Sequence, residues 1–250
     1  MNNVEKLQRT RSFPTIRVES EPSGDAHWMY MHSDVAPGVR PCFRSQMLDD
    51  VLSFMNSITL RESQRQPGKL RHLVVASDAS AFNLGGDLEL FSQLIRENNR
   101  DRLLSYARRC IDGVHHLNTG LGGDVRTIAL IQGDALGGGF EALLCFDVVI
   151  AERSARFGLP EMLFGLFPGM GAYSILSRKL GGAMADRVIM GEREIANGML
   201  ASGKPELRQD LIRSGYDLAP QDTNVASNPK QRWIIILSLL GHRWNQIRYR

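Results

Sequence analysis

The chain has 250 residues, 43% of them hydrophobic and 23% charged, with 24 glycines and a formal net charge of +3. That length buries a sizeable core in one main domain, and the composition excludes a disordered or fibrous chain. Residues 192–250 hold nine Lys/Arg against six Asp/Glu, which is the whole of the excess, so the rest of the chain is neutral and lacks the basic balance of a nucleic-acid binder. Cys42, Cys110 and Cys145 are too few and too scattered for a disulfide framework or a metal site, so they are expected to be packing residues in a reducing compartment. The N-terminal MNNVEKLQRTRSF has no apolar core of the secretion type, and the apolar run 233–240 is too short to span a bilayer. The expectation is a cytoplasmic protein with no membrane partner.

In chain order, 15–19 and 27–32 are rich in β-branched and aromatic residues around the turn formers EPSGD, which predicts a strand pair. From Ser45 to Leu60, Met47, Leu48, Val51, Leu52, Met55 and Ile58 recur at helical spacing. HLVVAS (72–77) is a buried-type strand that runs into the loop SDASAFNLGGDL. About 87–117 is helical, with a break expected at Asn98 and Asn99. VRTIALI (125–131) is a second buried strand, followed by the glycine loop and helix of QGDALGGGFEALLCF. DVVIA (147–151) is a third. Alternation of strand and helix is the pattern of an α/β protein. The sequence shows no internal repeat.

Each glycine loop leads from a strand into a helix and so offers free backbone N–H groups at a positive helix end. Either loop alone reads equally well as a tight turn. GDALGGG lacks the G-x-G-x-x-G spacing of dinucleotide sites, and GGD is not a P-loop. The carboxylates raise the signal. Glu141 falls in the first turn after the second loop, and Glu161 follows the third strand in GLPE. Two carboxyls beside a pair of N–H donors suit proton removal and delivery next to a carbonyl that gains negative charge. Taken singly, each glutamate reads as a surface or capping residue. Arg96, Arg100, Arg102, Arg108 and Arg109 form the one basic concentration in the body, either a solvated helix face or a dock for an acidic carrier protein. His115 and His116 are adjacent on a helix and point apart, so no shared metal site is expected.

The three segments AFNLGGDL (81–88), IALIQGDALGGGFEA (128–142) and FGLPEMLFGLFPGMGAYSIL (157–176) together resemble the crotonase, or enoyl-CoA hydratase/isomerase, superfamily over roughly residues 12–191. Their wording, with YARRCIDGVHH, is similar to the diffusible signal factor synthases, which make cis-2-unsaturated fatty acids used as quorum signals. The resemblance implies an α/β, crotonase-like ββα-repeat spiral. It implies Glu141 and Glu161 as the catalytic carboxylates, Gly86 and Gly138 as backbone donors of an oxyanion hole, and Gly85 and Gly137 as supporting neighbours. No cofactor is implied, because the substrate arrives as an acyl carrier protein or coenzyme A thioester. Acyl carrier protein, a regulatory sensor protein and copies of the chain itself in a trimer are the implied partners. Phe82, Leu136, Met162, Leu163, Phe164, Phe167 and Met170 are apolar candidates for an alkyl pocket, with Leu136, Phe164 and Met170 foremost.

After MGERE (190–194) the resemblance decays, which divides the chain into a catalytic domain, 1–191, and a divergent tail, 192–250. The family's helical C-terminal region is expected to be shortened or divergent here. Either a truncation or frame change replaced the native ending, or WIIILSLL forms a buried helix.

Overall fold

A computed structural model describes residues 13–63, 70–123, 125–152, 154–190, 195–196 and 233–236. Strands β1 (Ile16–Ser20) and β2 (Ala26–Met31) form an antiparallel hairpin, with Ile16 opposite Met31. Their alternation of buried and half-exposed residues marks one face as core. Helix α1 (Ser45–Ser63) covers that face with Met47, Leu48, Val51, Met55 and Ile58, all buried. Strands β3 (Arg71–Ser77), β4 (Val125–Ile131) and β6 (Val148–Glu152) extend the sheet in parallel, and with β9 (Trp233–Ile236) at the far edge the order is β1-β2-β3-β4-β6-β9.

A second, small sheet is made of β5 (Ala135–Leu136), β7 (Arg156–Gly158) and β8 (Ile195–Ala196). An isolated bridge from Asn83 to Ala135 adds the loop after β3 to its edge. Three units therefore recur: β3, the Asn83 bridge and α2 (Leu88–Arg96); β4, β5 and α4 (Gly138–Leu143); β6, β7 and, after a 3-10 turn at Pro160–Phe164, α5 (Ala172–Leu180). This ββα spiral is the crotonase-like fold. The repeat is invisible in the sequence because the units share backbone path and not residue identity.

The break expected near Asn98 separates α2 from α3 (Arg100–Asn118): Asn98 takes φ +50°, and the Asn99 side chain caps α3 by accepting from Arg102 N–H. Helix α6 (Gly182–Ile189) packs on α5. Cys42, Cys110 and Cys145 are free and buried.

Two pieces beyond residue 191 join the sheets. Ile195–Ala196 pairs with β7, and β9 (Trp233–Ile236) lies antiparallel on β6. Residues 233–236 are thus an edge strand, and not the buried helix that was one of the two readings of the tail. A short continuous apolar run fits a buried helix or a strand equally well by periodicity, and here the open edge of β6 decides. The remainder of 192–250, and with it the question of truncation, lies outside the described residues.

Candidate active site

The site forms where successive units of the spiral deliver their loops to one end. After β3 the chain turns at Ser77, whose hydroxyl donates to Ala81 O (2.7 Å), and reaches Gly85 at φ +86°. Phe43 N–H donates to Gly85 O (2.8 Å), and Leu84 N–H to Pro41 O (2.8 Å), which fixes this loop against the segment before α1. Tyr106 of α3 ties the same place: its hydroxyl donates to Phe43 O (2.6 Å) and accepts from Asp87 N–H (3.2 Å). Asp87 then caps α2 through Leu90 N–H (3.0 Å).

The second loop arrives so close that a Cβ on Gly85 would stand 3.0 Å from both Gly138 N and Leu136 O. Only a glycine fits there, on space and on backbone angle together. Gly85 N–H is bound to Asn83 Oδ1 (2.8 Å), whereas the N–H groups of Gly86 and Gly138 have no acceptor among the described residues. Gly138 opens α4, so its donor also lies at a helix N-terminus. Two free donors lining one cleft can serve as an oxyanion-type site.

Glu141, on the first turn of α4, is 2% exposed. Its Oε1 accepts from Met170 N–H (2.8 Å) and Ala172 N–H (3.2 Å) at the start of α5. Burial pushes this carboxyl up to about 7, against those two bonds, and the charge of Glu161 adds to the rise. Glu161 sits in the 3-10 turn Pro160–Phe164, with Oε1 against Gly137 at 2.8 Å from where a Cβ would be, and its buried Oε2 has no partner among the described residues. Burial raises its pKa also.

These groups line a cleft of about 600 Å³ walled by Phe91 and Ile95 of α2, Leu103 and Tyr106 of α3, and the segment Phe164–Met170. Gly85, Gly86, Gly137, Gly138, Glu141, Glu161, Phe164, Phe167 and Met170 meet there. The other apolar candidates fall elsewhere. Phe82 is 1% exposed in the core, and the Leu136 side chain reaches toward Gly158 of β7. Met162 and Leu163 are exposed outside the cleft. Sequence reasoning missed Asn83, Tyr106 and Phe91. All three depend on contacts distant in the chain, and no local pattern marks them.

Of the arginines, Arg109 is committed to α1, through Asp49 (2.7 Å) and Ser45 O (3.3 Å). Arg96, Arg100, Arg102 and Arg108 are exposed. His115 and His116 close α3, with ring centroids 6.5 Å apart. Among the described residues no group of three His, Cys, Asp or Glu is placed to hold a metal, and no helix is long and apolar enough to cross a membrane.

The spiral, the paired donors and the paired carboxyls define a crotonase-type protein. Residues 42–201 match the family model described as enoyl-CoA hydratase/isomerase, and the chain belongs to that family. The fatty acid oxidation complex subunit alpha of Idiomarina loihiensis is 37% identical over 113 residues, covering 45% of this chain and 15% of that protein. The chain thus corresponds to a small part of that relative's length. Among solved structures, DspI of Pseudomonas aeruginosa aligns over 86% of this chain and 75% of its own, at 24% identity and a TM-score of 0.59. An enoyl-CoA hydratase from Polaromonas sp. JS666 aligns over 80% and 76%, at 22% identity and a TM-score of 0.62. At these identities the structural likeness is one of fold.

Proposed function

We propose that the protein dehydrates a 3-hydroxyacyl thioester carried by acyl carrier protein and hydrolyses the product to a free cis-2-unsaturated fatty acid. The observation that carries this reading is the meeting of two unengaged N–H donors, Gly86 and Gly138, with two buried carboxyls in one cleft. The thioester oxygen sits between the donors, which stabilise the enolate formed when a carboxylate takes the α proton. The second carboxyl, still protonated, gives its proton to the 3-hydroxyl as the C–O bond breaks, and water leaves. Burial raises both carboxyls, and the charge of Glu161 adds to the rise of Glu141 to about 7, so the pair retains the one proton this step needs near neutrality. In the hydrolytic step water loses a proton to a glutamate, adds to the same carbonyl, and expels the carrier thiol.

Phe43, Cys110 and Met170 also line a second, apolar cavity of only about 40 Å³. That holds a few atoms and no more. A long acyl chain therefore runs along Phe91, Ile95, Phe164 and Phe167, each methylene that leaves water contributing about 0.8 kcal/mol. The wording of the three motifs supports the signal-synthase reading. The match to the enoyl-CoA hydratase/isomerase family model supports a second one equally, reversible hydration of an enoyl-CoA.

The deciding experiment offers the purified protein 3-hydroxydodecanoyl acyl carrier protein and the matching coenzyme A thioester, with products identified by mass spectrometry. A free cis-2-enoic acid from the carrier-bound substrate is the expected result. Interconversion of 3-hydroxyacyl-CoA and enoyl-CoA without a free acid would establish the second reading instead.

A further inference from the structure

Asn83, on the first donor loop, is fully buried against the second, and every polar group it has is engaged. Its N–H donates to Asp134 O (3.2 Å) and its C=O accepts from Leu136 N–H (2.9 Å), both on the second loop. Its Oδ1 accepts from Gly85 N–H (2.8 Å) on the first loop, and its Nδ2 lies 3.1 Å from His32 Nε2. The start of α4 presses on the same residue, since a Cβ on Gly139 would come within 2.2 Å of Asn83 O. We infer that Asn83, held in orientation by His32, is the positioning residue that sets the spacing of the Gly86 and Gly138 donors. This rests on the oxyanion reading of the cleft given above.

The orientation follows from the donors. Gly85 N–H can only donate, so the amide oxygen faces it and the amide nitrogen faces His32. His32 Nε2 must then accept, which places the ring proton on Nδ1 and requires a neutral imidazole. Burial, reinforced by Arg44 and opposed by Asp34, holds the ring neutral by lowering its pKa to about 4. His32 itself follows β2 with φ +61°, a backbone state uncommon outside glycine, and is 1% exposed. A rigid strand end is thereby connected through the Asn83 side chain to the first donor loop, which the Asn83 backbone pairs with the second. An uncoupled loop would let the two N–H groups drift apart. Loss of one such donor, or misplacement by about 1 Å, costs on the order of 10²-fold in rate.

The test measures kcat and KM on the 3-hydroxyacyl thioester for Asn83→Ala, His32→Gln and His32→Leu, with thermal unfolding recorded for each. Asn83→Ala is expected to lower kcat on the order of 10²-fold with KM changed less than about threefold. His32→Gln offers an acceptor near the position of Nε2 and should keep most of kcat, whereas His32→Leu should lose about tenfold. Unchanged kcat in Asn83→Ala, or equal losses in the two His32 variants, would overturn the inference. If Asn83→Ala fails to fold, the two His32 variants decide. Wild-type turnover judges the functional reading separately. Should the wild type turn over no thioester, the near-UV absorbance of bound acetoacetyl-CoA as its enolate replaces kcat. A weaker enolate in the variants at equal affinity supports the role of Asn83, equal absorbance sinks it, and no enolate in the wild type overturns both.

Discussion

Glu141 stands between opposed forces, two backbone N–H groups favouring its ionised form and burial favouring its neutral one. Burial prevails, and a carboxyl near 7 can take and return a proton at neutral pH. Glu141→Gln and Glu161→Gln keep side-chain shape but cannot exchange a proton. Each is expected to lower kcat on the order of 10²–10⁴-fold with the far-UV circular dichroism unchanged. Turnover near wild type in either would remove that carboxyl from the chemistry. The glycines around it are not equivalent. A methyl on Gly85 meets backbone on two sides at a positive φ, while one on Gly138 meets Met170 Sδ at 3.0 Å, the flexible end of a side chain that can move. Gly85→Ala is therefore expected to cost about 1–3 kcal/mol and most of the activity, and Gly138→Ala much less stability. Equal unfolding temperatures for the two variants would show that the loops are not tightly apposed.

Elements differ in how far local sequence determines them. The large-sheet strands β1 to β4 and β6, with α1 to α4, follow from periodicity and turn formers, because each buries a regular face long enough to show in the chain. The break at Asn98 and Asn99 was legible for the same reason, as both residues compete with the helix for hydrogen bonds. Strands β5 and β7 span two and three residues, too few for any alternation to register. The apolar run of β9 fits a helix as well as a strand, and its strand form comes from a partner some eighty residues earlier in the chain. In the site, the two glycine loops and the glutamates after them stand out in the sequence as candidates, and their roles are implied by the resemblance of the three motifs and not by residue type alone. Asn83 and Tyr106 do not stand out, because each acts on loops fixed by other elements. The arginines on α2 and α3 carry a prediction of their own. Arg100 and Arg102 are exposed beside the cleft wall, while Arg109 is held by Asp49. Arg100→Glu with Arg102→Glu should raise KM for a carrier-bound substrate and leave a small thioester unaffected, in steady-state kinetics at low salt. Equal effects on both substrates would count against carrier docking.

On the scale of the whole molecule, two buried groups tilt stability in opposite directions with pH. His32 falls to about 4 from an ordinary 6.5, so between those values the unfolded chain binds a proton that the folded one does not, and stability falls as pH falls. Glu141 rises to about 7 from 4.5, so the folded chain holds the extra proton, and stability falls as pH rises through that range. Each slope is exposed by removing the other group. Unfolding temperature should rise more steeply with pH, from about 4 to 6.5, in Glu141→Gln than in wild type, and should fall more steeply from about 4.5 to 7 in His32→Gln. Parallel profiles in the two variants would refute the assignment.

The seating of β9 on β6 also bears on solubility. The large sheet ends in β1 on one side, where Arg17 and Glu19 are ion-paired on the half-exposed face and such charges discourage a second sheet from adding there. The other side, without β9, would end in β6, whose sequence VVIAE offers four apolar residues and an open row of N–H and C=O groups. Such an edge is a template for another copy of itself. Ending the chain after residue 232 is expected to leave a protein that scatters light and sediments as large particles at micromolar concentration, even where its catalytic cleft is intact. A monodisperse, active truncation would mean that β6 is protected by something other than those four residues.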